Sequence, residues 1–176
     1  MPTSGRSPDR RHVVLVGLMG SGKTTVGRLL AARLGRPFLD SDEQVEARTG
    51  RTVREIFETD GEKAFRRLEA AALADAAARP APAVIAAAGG VVLDPGNRDL
   101  LRSTGTIVWL RADAHRLVDR AVAGAHRPLL AEDPEGALLQ MQSDRRPLYE
   151  AVADHVVDVG DRTPEQLAEH IEALLA

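Results

Sequence analysis
The sequence predicts a three-layer α/β fold, a five-stranded parallel sheet with helices on both faces. Five short apolar or β-branched runs, at residues 12–16, 37–39, 83–88, 106–110 and 155–159, alternate with stretches of helical spacing. That alternation is the mark of parallel strands joined by right-handed helical crossovers. The first run passes into its helix through a glycine-rich turn, as strands of such sheets do where they bind ligands. A length of 176 residues suits one domain with a single core, and no internal repeat is apparent.

The first run, His12-Val13-Val14-Leu15-Val16, reads as a buried strand, and Val26 to Leu34 as a helix. Between them Gly17-Leu18-Met19-Gly20-Ser21-Gly22-Lys23-Thr24 matches G-x-x-x-x-G-K-[ST] in the strand-to-helix setting the motif requires. Glycines let successive backbone N–H groups converge on a phosphate with no Cβ in the way, and the helix N-terminus adds its positive end. Lys23 supplies a mobile cation for the β- and γ-phosphates, and the Thr24 hydroxyl can ligate Mg²⁺. The competing reading is a tight turn with an incidental lysine. Composition argues against it, because Lys23 and Lys63 are the only lysines in an arginine-biased chain. Gly20, Ser21, Gly22, Lys23, Thr24 and Thr25 are therefore assigned to nucleotide phosphate.

Gly35 reads as a helix C-cap and Pro37-Phe38-Leu39 as the second strand. It ends in Asp40-Ser41-Asp42. If these continue the strand, both carboxylates face one side, about 7 Å apart, at the edge where a parallel sheet binds ligands. The competing reading is a solvated helix cap before Glu43; beside the phosphate loop, the ligand-facing reading is preferred. Thr49-Gly50-Arg51 breaks the chain, Thr52 and Glu55 form a capping box for a helix, and Asp60-Gly61 marks a turn. A longer amphipathic helix over 62–78 carries Phe65, Leu68, Ala72 and Leu73 on its apolar stripe. Arg66 and Arg67 lie on it with Glu62, Lys63 and Glu69 three or four residues away, which suits surface ion pairs. Arg67 is read that way; for Arg66, beside Phe65, surface pairing and ligand binding both stay open. Several helices between strands two and three exceed a crossover's needs, so 43–78 reads as a substrate-binding subdomain.

Pro80-Ala81-Pro82 ends that helix, and Ala83 to Ala88 reads as a central strand. Gly89 and Gly90 follow at its C-terminal edge, where they offer backbone N–H groups to a ligand. This strand carries no acidic residue, so a metal-holding carboxylate must lie elsewhere, and Asp40 is the nearest candidate. A short helix over 95–101 precedes the fourth strand. Asp113 then caps a helix over 114–122 that carries Arg120. Residues 123–136 hold glycines, two prolines and no periodicity. A loop of that length is usually functional or disordered; Arg127 at its centre suits a lid that brings a guanidinium onto transferring phosphate, and a disordered excursion is the competing reading. A helix over 137–153 includes Arg145, Arg146, Pro147 and Tyr149. The fifth strand follows, and Thr163 with Pro164 opens the last helix.

Net charge is −3 and cysteine is absent. No global basic field calls for nucleic acid or anionic membrane, and no disulfide, thiolate nucleophile or cysteine-based metal site is possible. The five histidines show no ligand-type pairing and read as surface or strand-edge residues. The polar, arginine-rich first eleven residues lack the apolar core of a secretory signal, and no run is long enough to span a membrane. A cytoplasmic monomer is expected.

Taken together, these pieces resemble the shikimate kinase family, small P-loop kinases with the P-loop NTPase fold of nucleoside-monophosphate kinases. The likeness runs from about Val13 to about Leu174. It rests on the GLMGSGKT loop, Asp40-Ser41-Asp42, the block from Thr49-Gly50-Arg51 to Phe65-Arg66-Arg67, the glycine turn, Arg127-Pro128-Leu129-Leu130, and Arg145 before Pro147-Leu148-Tyr149. The resemblance implies a single kinase domain in which residues 12–36 form strand, phosphate loop and helix, and 122–137 a lid. It implies ATP-dependent phosphorylation of the 3-hydroxyl of shikimate. Lys23 would hold the β/γ-phosphates, while Thr24, with Asp40 through water, would hold Mg²⁺. Asp42 would bind ring hydroxyls and could accept the attacking proton. Arg66 and Arg145 would clamp the shikimate carboxylate, which paired guanidiniums suit, and Gly89 and Gly90 would contact the ring. Arg127 would come down with the lid, Arg120 would sit near the phosphates, and Arg162 would stack on adenine.

Two positions depart from the family. Ala88 stands where a first glycine of three is usual, and Arg146 where a small residue is common. Alternatives on the same motifs are a kinase for gluconate or a cyclitol, and a non-catalytic nucleotide-binding regulator. A degenerate regulator is expected to have lost Asp42, Arg66 or Arg127, and all three are intact.

Overall fold
The computed structural model describes residues 11–123 and 132–176. Strands β1 (His12–Val16), β2 (Phe38–Asp40), β3 (Val84–Ala86), β4 (Gly105–Arg111) and β5 (His155–Asp158) form one sheet in the order β2-β3-β1-β4-β5. Every pairing is parallel, as predicted. β2 and β3 lie on one side of β1, and β4 and β5 on the other. The chain therefore reverses direction across the sheet at β1, the point where a parallel sheet opens a crevice at its C-terminal edge.

Eight helices are described: α1 (Lys23–Leu34), α2 (Ser41–Thr49), α3 (Val53–Asp60), α4 (Glu62–Ala77), α5 (Pro95–Thr104), α6 (Ala114–Ala123), α7 (Pro134–Val152) and α8 (Pro164–Leu175). Alternate strand residues feed two cores. Val13 and Leu15 pack with Val26 and Leu30 of α1 and with Leu167 and Ile171 of α8. Val14 and Val16 face the other way, with Leu73 of α4, Leu101 of α5, and Leu138 and Tyr149 of α7. Each of these large side chains contributes roughly 1.5–3 kcal/mol by burial. A smaller cluster of Val45, Ile56, Phe65 and Ala72 ties α2, α3 and α4 together, with the rings of Phe57 and Phe65 4.8 Å apart. This is the extra helical segment expected over 43–78.

The caps read from sequence are present: Gly35 closes α1 at φ 62, and capping boxes open α3 at Thr52 and α8 at Thr163. Other boundaries moved. β3 ends at Ala86, short of the expected residue 88: the Ala87 N–H still reaches the Leu15 carbonyl, but that of Ala88 turns to the Ser41 hydroxyl, 2.9 Å away. α7 starts at Pro134, where the Asp133 side chain accepts from the Gly136 N–H. Residues 124–131, the heart of the expected lid with Arg127, lie outside the described residues. Among the described residues no helix is long and apolar enough to cross a membrane.

His12 corrects the expectation of surface or edge histidines. It is buried at the start of the central strand; its Nδ1 accepts from the Ala83 N–H at 3.1 Å and its Nε2 lies 3.2 Å from the Arg79 carbonyl. The neutral ring with its proton on Nε2 satisfies both partners. It thereby ties β1 to the segment that enters β3.

Directly opposite His12 in β4 is Gly105, where an added methyl would collide with the His12 carbonyl. Backbone cannot yield as a flexible side chain can. Gly105→Ala is expected to destabilise the fold by about 3 kcal/mol, read as a lower urea midpoint, and an unchanged midpoint would show that the β1–β4 register tolerates a side chain there.

Candidate active site
β1 delivers the phosphate loop to the crevice. Gly17 has φ 148, and a methyl on it would come within 2.7 Å of the Leu110 carbonyl oxygen; Gly22, the N-cap of α1, has φ 96. Both positions require a backbone that side chains resist. The N–H groups of the first turn of α1 consequently open onto the loop, with the positive end of the helix behind them. The Lys23 ammonium donates to the Gly17 and Leu18 carbonyls at 2.8 and 2.9 Å. A cavity of about 410 Å³ lies above it, lined by Gly20, Gly22, Lys23, Thr24, Thr25, Asp40, Asp42, Ala88, Gly89 and Arg120 among others. Ser21 differs from its neighbours, since its side chain is fully buried. Its N–H donates to the Leu18 carbonyl at 3.2 Å and it does not line this cavity, so the phosphate role expected of Ser21 is not what this geometry presents.

The geometry expected for the acidic pair is corrected. Asp40 ends β2, but Asp42 lies in the first turn of α2 rather than on the strand. Asp40 is the N-cap: one carboxylate oxygen accepts from the N–H groups of Asp42 and Glu43 at 2.9 and 3.2 Å. The other accepts from the Thr24 hydroxyl at 2.7 Å. The helix-cap reading and the ligand-site reading thus describe the same residue. Capping turns one oxygen toward α2 and leaves the other to meet α1, so Thr24 and Asp40 form a hard-oxygen pair at the mouth of the loop. Among the described residues no group of three or more acidic or histidine side chains could cage a metal by itself. A Mg²⁺ that arrives on nucleotide phosphates needs only one or two protein oxygens, and this pair fits that requirement.

The other end of the cavity is built around the glycine turn. Neither Gly89 nor Gly90 has a positive φ, so they are glycines for lack of room. A methyl on Gly90 would collide with the Arg66 guanidinium, and one on Gly89 would lie 3.3 Å from Arg145 Nη1. Arg66 and Arg145 therefore converge on the turn from α4 and α7, one against each glycine. Arg145 is itself buried. Ala88 needs no left-handed conformation, since no non-glycine among the described residues has positive φ. Arg67, as expected, is exposed.

The sequence reading missed two residues here. Glu69 is buried and accepts from Arg66 Nη1 at 3.0 and 3.1 Å, while Arg66 Nη2 reaches the more exposed Glu62 at 3.1 Å. Burial raises the Glu69 pKa; the Arg66 charge and hydrogen bond oppose that, Asp42 adds to it, and Arg145 opposes it more weakly. Glu69 thus interacts with three other charged groups, Arg66, Asp42 and Arg145. The signal was present, because Glu69 interrupts the buried stripe Phe65, Ala72, Ala76 at helical spacing. The other missed residue is Tyr149, whose hydroxyl donates to the Gly89 carbonyl at 2.6 Å.

Arg120 lines the first cavity together with Pro164. It also lines a second of about 340 Å³, with Asp113, Arg116, Gly160 and Asp161. Pro164 entered the sequence reading only as a helix start. Arg162 is exposed, 3.5 Å from the Asp158 carbonyl, and is not among the residues lining either cavity.

A phosphate loop at the switch point of a parallel sheet, opening on a cavity that reaches Asp42 and a glycine turn flanked by two guanidiniums, defines a P-loop kinase that acts on a small molecule. The profile described as Shikimate kinase matches residues 19–176, and the chain belongs to that family. A shikimate kinase from Symbiobacterium thermophilum is 54% identical over 168 residues, 93% of this chain and 95% of that one. The structure of a shikimate kinase from Acinetobacter baumannii in complex with shikimate superposes with a TM-score of 0.90 at 40% identity, covering 94% of this chain and 93% of the other. A gluconokinase from Sinorhizobium meliloti reaches a TM-score of 0.66 at 23% identity, over 95% and 92% of the two chains, which is a likeness of fold alone.

Proposed function
We propose that this chain transfers the γ-phosphoryl group of ATP to the 3-hydroxyl of shikimate, giving shikimate 3-phosphate and ADP. The observation that carries the reading is the convergence of Arg66 and Arg145 on Gly89-Gly90, next to Asp42 and across the cavity from Lys23. Two planar guanidiniums match a carboxylate, and a ring acid held there presents hydroxyls toward Asp42. Asp42 orients the attacking hydroxyl and accepts its proton as the new O–P bond forms. Lys23 and the loop amides hold the β- and γ-phosphates and balance charge on the transferring group. Thr24 and Asp40 would hold Mg²⁺, Asp40 through water because its own oxygens are engaged; the ion would neutralise phosphate charge. Arg120 serves the phosphates, Arg127 is assigned to closure over them, and the second cavity takes the base. Arg162 requires a rotamer change before it can stack on adenine. One chain supplies every residue in this scheme, which supports a monomer as the working form; a cytoplasmic location is proposed with it.

The test is ADP release from ATP and Mg²⁺ in the presence of shikimate, of gluconate, or of no acceptor. Release that depends on shikimate is expected. Dependence on gluconate alone moves the acceptor to another polyol acid, and release with neither points to a regulator. Arg66→Lys and Arg145→Lys should each raise the KM for shikimate about tenfold, because lysine cannot make the two-pronged contact. Nucleotide affinity measured alone should barely change; equal damage to it would assign these arginines to phosphate.

A further inference from the structure
The glycine turn is also held by a residue that the scheme above does not use. Tyr149 is fully buried on α7, one turn beyond Arg145, and its hydroxyl donates to the Gly89 carbonyl at 2.6 Å. Its ring stacks on Trp109, with centroids 5.6 Å apart and planes inclined by 28°. Trp109 in turn pairs with Val16, the residue that immediately precedes the phosphate loop. Gly89 itself is wedged in place: a methyl on it would lie 3.2 Å from the Gly17 carbonyl oxygen and 3.5 Å from the Met19 nitrogen. Tyr149 is thus a strut between the base of the phosphate loop and the acceptor turn.

The peptide it grips joins two glycines. A Gly-Gly peptide rotates at little steric cost, because neither flanking residue has a Cβ to restrict φ and ψ. In a trans peptide the carbonyl and the following N–H point in opposite directions. Fixing the Gly89 oxygen therefore fixes the Gly90 N–H on the opposite side of the peptide. We propose that Tyr149 is a positioning residue for the acceptor: its hydroxyl sets the orientation of the Gly89–Gly90 peptide against which Arg66 and Arg145 grip the acid. This rests on the shikimate reading above. Burial pushes the Tyr149 phenol up to about 12, with the Arg145 charge and hydrogen bond pulling the other way. It remains a proton donor throughout the range in which a kinase works.

Tyr149→Phe keeps the ring, the stack and nearly the volume and removes the hydroxyl, which is both the donor to Gly89 and a hydrogen-bond partner of Arg145. The KM for shikimate should rise about tenfold, the scale expected for losing one buried hydrogen bond, while the Kd for ADP stays within about twofold. A residue needed only for packing would lower the urea midpoint and leave that KM unchanged, and this result overturns the proposal. The protein contains one tyrosine, so the unmutated chain labelled with 3-fluorotyrosine gives a single ¹⁹F resonance from Tyr149. That resonance should shift when shikimate saturates the enzyme, and a resonance that stays in place overturns the proposal independently of the variant's folding. A parent enzyme without shikimate-dependent ADP release overturns the functional reading and this inference together. An active parent with an unaltered Phe variant overturns this inference alone.

Discussion
Lys23→Ala is expected to lower kcat by at least about a hundredfold in a protein that still folds. The loss follows from position and charge. Lys23 begins α1, and its ammonium is held over the loop by the Gly17 and Leu18 carbonyls, where β- and γ-phosphates would lie. Negative charge shifts onto the leaving and transferring oxygens in the transition state, so a preorganised cation there acts more on the barrier than on ground-state binding. Stability should fall little. α1 is anchored by Val26, Gly27 and Leu30 on its buried face, and alanine is a good residue at a helix start. Steady-state ADP release together with a urea midpoint tests both halves. A folded variant with near-normal turnover would remove the phosphate-loop assignment.

Asp42→Asn should reduce kcat on the order of a hundredfold, with a much smaller change in the KM for ATP. The shape is kept and the proton acceptor is lost. Asp40 is unaffected by the change: it takes its bond from the backbone N–H of residue 42 and a second from the Thr24 hydroxyl, neither of which depends on the Asp42 side chain. The proposed metal pair should therefore survive. Nor should the fold suffer, since the Asp42 charge acts on Glu69 in the direction that disfavours its ionised form. If ATP binding fails and acceptor-saturated turnover persists, Asp42 belongs with the metal and the two aspartates exchange roles.

What was legible in the sequence was local. The phosphate loop, the capping box at Thr52, the N-cap at Thr163 and the Gly35 cap each involve residues within a few positions of one another. Their physics is a matter of φ, an orphan N–H or a helix end. The alternation of short apolar runs with helical stretches similarly predicted the parallel sheet, because run length and helical spacing are written in consecutive residues. Where local rules competed, the sequence left the outcome open. Asp40-Ser41-Asp42 can extend a strand or start a helix, and the start of α2 against Thr24 decided between them.

The cluster around the glycine turn lay beyond that reach. Gly90 is a glycine because a guanidinium twenty-four positions earlier fills the space a Cβ would take, and Gly89 is oriented by a hydroxyl sixty positions later. Glu69 looked like one more surface partner for an arginine until α4 turned it inward. Arg162 shows the converse, a guanidinium close in sequence to the nucleotide side yet turned to the Asp158 carbonyl. The sequence by itself determined the sheet, the nucleotide end and the residue types the chemistry needs, because each depends on neighbours along the chain. Tertiary structure alone decided which charges are buried, which glycines are there for room and which side chains hold the others in place. Those properties arise where segments distant in sequence compete for the same few ångströms of space.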